Sequence, residues 1–540
     1  MLKANNKNLS STSTSKSRRH VKASANDDYD LIIIGGGITG AGIALDASLR
    51  GMKVLLLEKN DFASGTSSKS TKLIHGGLRY LKQLNFSLVR KTGKEREVIH
   101  TLAPHLVRKQ PLLVPVHSWA ERIKLAAGLW LYDRLAGVKK ADRNKYISGK
   151  KAASYIPGFD QQKWLGAYLY PEYRALDSRL VIELLKTATS LGATCLNYAR
   201  VEGMEMGNAI KSVQVQDCLT TTTHTFRGRV VVNAAGPWSD LVASLKTSQQ
   251  KHLILTKGVH LVISKTNWPI HKAIYFENND GRMIFAIPQY DSVYIGTTDT
   301  FYRKNPDQVS ANLEDIDYIL DAVRFAFPDI VLAHKMVKGY WSGIRPLIGE
   351  EGKSPSEISR KDEIFEQPDG LVTITGGKLT GYRLMAKKVT DVVEKRLKGS
   401  HSPCTTAHHL LSGGGEQINK VDHSNVLREE VLQELIQLFG SNIEEVIHSY
   451  VKHLPLFSEN HDQAIFAALV YGVEYEYVQR FTDVIFRRSE WMYFYPERVK
   501  AAMPEALHFM ASLLAWPDHV IAEEEQSITA YLQLLDELKE

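Results

Sequence analysis

A β-branched run, Asp30-Leu31-Ile32-Ile33-Ile34, stops at Gly35-Gly36-Gly37. The chain then continues to Leu49 with small and apolar residues at helical spacing, and a second apolar run follows, Lys53-Val54-Leu55-Leu56-Leu57. Strand, glycine turn, helix and strand in so short a span form a βαβ unit, which commits the chain to a parallel sheet covered by helices. Gly35, Gly37 and Gly40 have the Gly-x-Gly-x-x-Gly spacing of a dinucleotide-binding turn. In such a turn the first glycine makes the bend, the second admits a pyrophosphate and the third lets helix and strand approach closely. Glu58 closes the second strand, where a carboxylate can take both hydroxyls of an adenosine ribose.

Two further turns narrow the dinucleotide. Val230-Val231-Val232-Asn233-Ala234-Ala235-Gly236 is a strand ending in small residues, and Gly376-Gly377-Lys378-Leu379-Thr380 opens a helix. A glycine pair opening a helix can aim backbone N–H groups at the pyrimidine end of an isoalloxazine. Turns dispersed from residue 35 to residue 380 suit an extended FAD better than an NAD held by one contiguous half. Residues 64–81 add Ser and Thr hydroxyls, Lys69, Lys72 and the pair Gly76-Gly77, all able to line a cofactor.

The 540 residues are 44% hydrophobic and 24% charged, an ordinary globular balance that excludes a disordered or fibrous chain. Six of the seven excess positive charges (Lys3, Lys7, Lys16, Arg18, Arg19 and Lys22) lie in residues 1–26 of the N-terminal tail, a stretch without an acid, so the rest is no phosphate-tracking surface and no nucleic-acid partner is expected. That tail, 1–27, reads as a solvated segment, with a targeting segment as the alternative; it lacks the apolar centre of a secretory signal. Cys195, Cys218 and Cys404 are dispersed, so neither disulfides nor a metal site are expected. No run of 18 apolar residues would span a membrane.

Strands are expected at 229–232, 259–263, 292–295 and 371–374, and helices at 180–191, 315–327 and 379–397. The Ser, His, Gly and Pro stretch 399–415 reads as a linker. Beyond it helices are expected at 425–438, 442–451, 474–486 and 522–538. The fold class is therefore α/β. A Rossmann-like FAD-binding domain with an interleaved α+β substrate domain on a mixed antiparallel sheet spans 28–398, and an all-helical cap domain spans 416–540.

The run at 64–81 resembles the aerobic FAD-dependent glycerol-3-phosphate dehydrogenases, a family within the glycine oxidase and D-amino-acid oxidase-like flavoproteins. The resemblance extends over GGGITG (35–40), SSKSTKLIHGGLRYL (67–81), KGVHLVI (257–263), YIGTTD (294–299), WSGIRPLIG (341–349), SRKDEIF (359–365), GGKLT (376–380) and YEYVQRFTDVIFRR (475–488). It implies oxidation of glycerol 3-phosphate, with Arg79, Tyr80, His260, Thr297, Arg345, Arg360 and Lys378 facing the substrate. It also implies FAD contacts from Thr66, Ser67, Ser68, Thr71, Lys72, Leu73, His75, Gly76, Gly77, Val201, Ala235, Gly236, Gly377, Lys378, Leu379 and Thr380, besides Gly35, Gly37, Gly40 and Glu58.

Chemistry agrees with that set. A dianionic phosphate calls for several cations, and a guanidinium can bind two of its oxygens at once. Alcohol oxidation needs a base, for which His260 is the first candidate and His75 the second; Arg345 would stabilise a developing alkoxide. The family's dehydrogenases pass electrons to membrane quinone and its oxidases to oxygen. The long insertion of the oxidases is missing here, which favours quinone. Residues 119–132, with Ile123, Ala126, Ala127, Trp130 and Leu131 at helical spacing, read either as an interfacial foot or as a core helix. A homodimer on the cytoplasmic face of a bacterial inner membrane is expected; a mitochondrial member would carry a calcium-binding extension. An amine or amino-acid oxidase is the alternative enzyme, and a non-catalytic flavoprotein the alternative of another class.

Overall fold

The computed structural model describes residues 27–75, 86–207, 209–245, 253–348, 362–376, 378–415 and 426–539. Strand β1 (Asp28–Ile34), helix α1 (Ile38–Leu49) and strand β2 (Val54–Leu57) form the expected βαβ unit. β1 lies parallel to β2 on one side and to β3 (Thr223–Asn233) on the other, with Ile33 opposite both Leu56 and Val232. The eight-stranded sheet is completed by Ala199–Met206, Lys211–Asp217, Thr194–Leu196, Val372–Gly376 and Asp362–Glu366. Leu31, Ile32, Ile33 and the whole of β2 are buried, as the unbroken apolar runs of a sheet covered on both faces require.

A nine-stranded sheet stands beside the first. Its strands β4 (Leu253–Ser264) and β6 (Val337–Ile348) hold His260 and Arg345, and β5 (Ser292–Gly296) ends just before Thr297. β4 runs antiparallel to both neighbours, and the register sets His260 opposite Gly296, Gly258 opposite Gly343 and Thr256 opposite Arg345. This sheet has a separate core built on Trp268, Phe276 and Phe327. The strands of the two sheets alternate along the chain, so the substrate domain is interleaved with the first.

Beyond residue 426 the described residues are mainly helical, and three elements differ from expectation. Helix Gln463–Tyr475 and helix Pro496–Leu514 were not legible in the sequence, and the helix expected at 474–486 does not form. Tyr475 ends one helix, Tyr477 has φ 62°, and only the short turn Phe481–Asp483 and a π turn at Val484–Arg488 follow. Buried charge decides this. Glu476 accepts from Arg179 Nη1 at 2.5 Å, and Arg488 forks onto Asp61 at 2.6 and 3.0 Å, so the segment follows its ionic partners rather than its aromatic spacing.

The stretch 399–415, expected as a linker, is folded into the protein. Leu411 is buried and its N–H donates to the Leu102 carbonyl at 3.1 Å, while Gly413 and Gly414 pass against Phe439 and Leu102 too closely for a Cβ. The C-terminal helices share one apolar core with the dinucleotide sheet, in which Phe466, Leu469 and Met510 join Leu31, Ala44 and Leu56. No described helix is long and apolar enough to cross a membrane.

Candidate active site

A cleft runs from the first glycine turn to the second, past β4 and β6. At one end Gly35 takes φ +116°, and a Cβ there would lie 2.5 Å from the Ala234 carbonyl oxygen. A Cβ on Gly40 would run into the Gly35 carbonyl, so Gly40 serves helix packing and does not line the cleft. Glu58 lines it and accepts from the N–H groups of Gly36 at 2.7 Å and Asn60 at 2.9 Å. Burial raises its pKa and the two amides oppose that rise, which leaves a fixed carboxyl where a ribose would sit. Ser67 Oγ accepts from Ile38 N–H at 2.9 Å, at the N-terminal end of α1. Val201, Ala235, Gly236, Thr66, Leu73, His75, Lys378, Leu379 and Thr380 also line the cleft, and Thr380 Oγ1 donates to the His75 carbonyl at 3.2 Å. The arrangement suits an extended dinucleotide such as FAD: a carboxylate for ribose, a helix start for diphosphate and a second glycine turn for the far ring.

Near that second turn, His260 from β4 stacks on Trp341 at 5.0 Å and 15°, with Nε2 3.0 Å from Thr71 Oγ1. It is 1% exposed, and its Nδ1 has no partner among the described residues. Burial first, then Arg345 and Lys72, hold its pKa well below the usual imidazole range, so the ring is neutral at pH 7. Arg345 Nη1 meets Asp299 Oδ1 at 2.9 Å and Nη2 donates to Thr297 Oγ1 at 2.9 Å. Thr298 differs from its neighbour: its hydroxyl accepts the Val259 N–H at 3.0 Å and serves the backbone. A Cβ on Gly258 would fall 2.6 Å from Arg345 Cζ, and one on Gly296 2.8 Å from His260 Cγ, so these two glycines form the floor on which the side chains lie.

Two of the expected cofactor contacts turn away from the cleft. Ser68 is buried, and its hydroxyl donates back to Gly65 at 3.4 Å. Lys72 is fully buried, with Nζ 2.9 Å from Asp177 Oδ1, 2.5 Å from Glu490 Oε1 and 3.1 Å from the Ser68 carbonyl. An ammonium placed there can be tolerated only against carboxylates. Of the two lysines in that run, Lys69 is the one that lines the cleft. Lys72→Ala is therefore expected to destabilise the fold by about 3–5 kcal/mol, because it leaves two carboxylates buried without their cation; Lys72→Met should cost less. Chemical denaturation measures both. Gly76, Gly77, Arg79, Tyr80, Arg360 and Gly377 lie outside the described residues.

With that geometry in hand, residues 30–391 match the FAD dependent oxidoreductase family, and 404–521 match the C-terminal domain of alpha-glycerophosphate oxidase. The aerobic glycerol-3-phosphate dehydrogenase of Staphylococcus aureus is 44% identical over 92% of this chain and 93% of its own length. The chain belongs to the aerobic FAD-dependent glycerol-3-phosphate dehydrogenase family. Among solved structures, the glycerol-3-phosphate dehydrogenase from Bacillus halodurans complexed with FAD is 34% identical and superposes with a TM-score of 0.81 over 96% of this chain and 98% of that one. Glycine oxidase from Geobacillus kaustophilus, 19% identical with a TM-score of 0.51 over 73% of this chain and all of that one, shares the fold. Like other members of the glycerol-3-phosphate dehydrogenase family, this chain uses FAD. Gly258, Gly296 and Trp341 are site residues that sequence reasoning did not single out, and Lys69 was named there only as one of two lysines able to line a cofactor. The glycines lie beside named candidates, but the need for them appears only once the strands are in register.

Proposed function

We propose that this flavoprotein oxidises sn-glycerol 3-phosphate to dihydroxyacetone phosphate and delivers the electrons to membrane quinone. The observation that carries the reading is the meeting, on adjacent strands facing one cleft, of a neutral buried imidazole at His260 and a guanidinium at Arg345. The chemistry that FAD supplies when bound is acceptance of the C2 hydride. The protein's own part is to bind, orient and move a proton. His260 is unprotonated at working pH and takes the C2 hydroxyl proton, while Thr71 and the Trp341 ring fix its plane. A dianionic phosphate arriving nearby would raise its pKa and strengthen it as a base. Arg345, steered by Asp299 and Thr297, stabilises negative charge developing on the substrate oxygen.

Membrane contact is part of the proposal. On the helix Trp119–Leu135, Trp119 is 64% exposed, Ile123 69% and Trp130 56%, with Ala127 and Arg134 on the same face. Arg122 lies 4.7 Å over Trp119, and Arg134 lies 4.3 Å over Trp130. An apolar stripe edged by aromatic rings and cations suits a lipid interface.

Anaerobic addition of glycerol 3-phosphate to the purified holoprotein should bleach the visible flavin band, and a quinone analogue should restore it faster than oxygen does. A band that stays oxidised would end the substrate assignment, and faster return with oxygen would make the enzyme an oxidase. His260→Gln should keep FAD and lower kcat by roughly 10²–10⁴-fold, the range general-base catalysis contributes.

A further inference from the structure

A diphosphate brings two negative charges into the cleft, and the N-terminus of α1 offers about half a positive charge to meet them. Among the described cations near that end, nearly all are already committed. Lys59 pairs with Asp307 at 2.6 Å and lies 4.6 Å over the Trp238 ring, and Arg200 pairs with Glu202 at 2.5 Å. Arg345 belongs to the substrate end, and Lys72 is enclosed with its carboxylates.

Lys69 differs from all of these. It follows the short turn Thr66–Ser68, two residues past the Ser67 hydroxyl that meets the start of α1, and it lines the cleft together with Gly37 and Ser67. Its ammonium makes no ion pair or hydrogen bond with any described residue, and Asp307, the carboxylate that acts on it, is already paired with Lys59. Burial and then the positive Arg487 draw its pKa down to about 8, so the ammonium is still the main form at pH 7 but is less favoured than in water. A neighbouring small pocket, walled by Trp238, Pro306 and Ile344, also opens onto Lys69. A partly buried cation without a counter-ion, beside a helix start in a cleft shaped for a dinucleotide, lacks one thing: an anion.

We propose that Lys69 is the cation that binds the diphosphate of FAD. The inference rests on FAD as the cofactor, and its test separates the two. Apoprotein made by reversible removal of FAD is titrated with FAD, ADP and riboflavin, for the unaltered chain and for Lys69→Met, Lys69→Gln and Lys69→Arg. Loss of one charge-assisted contact to a dianion should weaken FAD and ADP about 10- to 100-fold in the Met and Gln variants and leave riboflavin, which has no phosphate, unchanged. Lys69→Arg should keep most of the affinity and its decline with added salt, and the Met and Gln variants should lose part of that salt dependence. The proposal falls if Lys69→Met or Lys69→Gln binds FAD and ADP as the unaltered chain does. It falls equally if riboflavin weakens as much as FAD, because Lys69 would then shape the loop and not the phosphate site. Melting curves of each apoprotein show which variants are folded, and either neutral variant suffices. Failure of the unaltered chain to bind FAD would instead remove the cofactor itself.

Discussion

Gly258→Ala is expected to lower kcat/KM for glycerol 3-phosphate by about 10²-fold while the protein keeps its fold and its FAD. A Cβ at that position would lie 2.6 Å from Arg345 Cζ and 2.8 Å from Nη1, so the guanidinium must lift from the strand. Its links to Asp299 and Thr297 then stretch, and displacement of a positioning group by about an ångström costs catalysis on the order of 10²-fold. The backbone has little reason to object, because Gly258 sits inside an antiparallel pair opposite Gly343 and is not among the residues with positive φ. Steady-state kinetics, the flavin absorbance of the purified variant and its circular dichroism check the three parts together. Unchanged kinetics would show that Arg345 does not act from the place in which it is found.

The second large effect concerns stability. Arg488→Ala should destabilise the protein by roughly 3–5 kcal/mol, the cost of breaking a buried, fully hydrogen-bonded ion pair from one side. Arg488 forks onto Asp61 at 2.6 and 3.0 Å and also donates to the Glu476 carbonyl at 2.5 Å, all without solvent. Burial alone would push the Asp61 carboxyl up, but Arg488 and Arg487 overcome this and hold it below its usual range. A depressed carboxyl contributes stability above its unfolded pKa and loses it as pH falls. Glu476, pulled down to about 2 by Arg179 and Lys186 against the effect of burial, behaves in the same way. Denaturant midpoints of the unaltered chain should therefore drop steeply below about pH 4. In Arg488→Ala part of that acid sensitivity should be gone, because Asp61 keeps only Arg487, whereas Glu476 keeps Arg179 and Lys186. A flat pH dependence in the unaltered chain would mean that these pairs do not contribute.

The parts legible in the sequence are those written in local pattern. The glycine turn with its flanking apolar strands, the register-forming runs at 259–263 and 292–295, and the hydroxyl-rich stretch near Thr71 each announce themselves within a dozen residues. What local pattern could not supply is long-range pairing. Nothing near Lys69 and Lys72 tells which faces the cleft, because the choice depends on Asp177 and Glu490, far along the chain. The segment after Tyr475 has helical spacing yet bends to follow Arg179 and Asp61. Pro504 obscures the helix Pro496–Leu514, in which it is accommodated. Trp341 looks like core from its neighbours, and only the pairing of β4 with β6 brings it onto His260.

The single apolar core that joins the dinucleotide sheet to the last helices bears on how the protein is made. Met510, Leu514 and Ile528 belong to the same cluster as Leu31, Ile43 and Leu56. While the chain is being synthesised, the sheet that opens it leaves the ribosome long before the residues that cover its apolar surface. At about 5–20 residues per second, the stretch from Lys398 to Leu538 takes roughly 7–30 s to appear. For that interval the nascent first half exposes an unfinished core, in need of a chaperone or of speed. Asp61, three residues beyond Glu58, likewise waits for Arg488, so the loop after Glu58 gains this ion pair only after the C-terminal helices arrive.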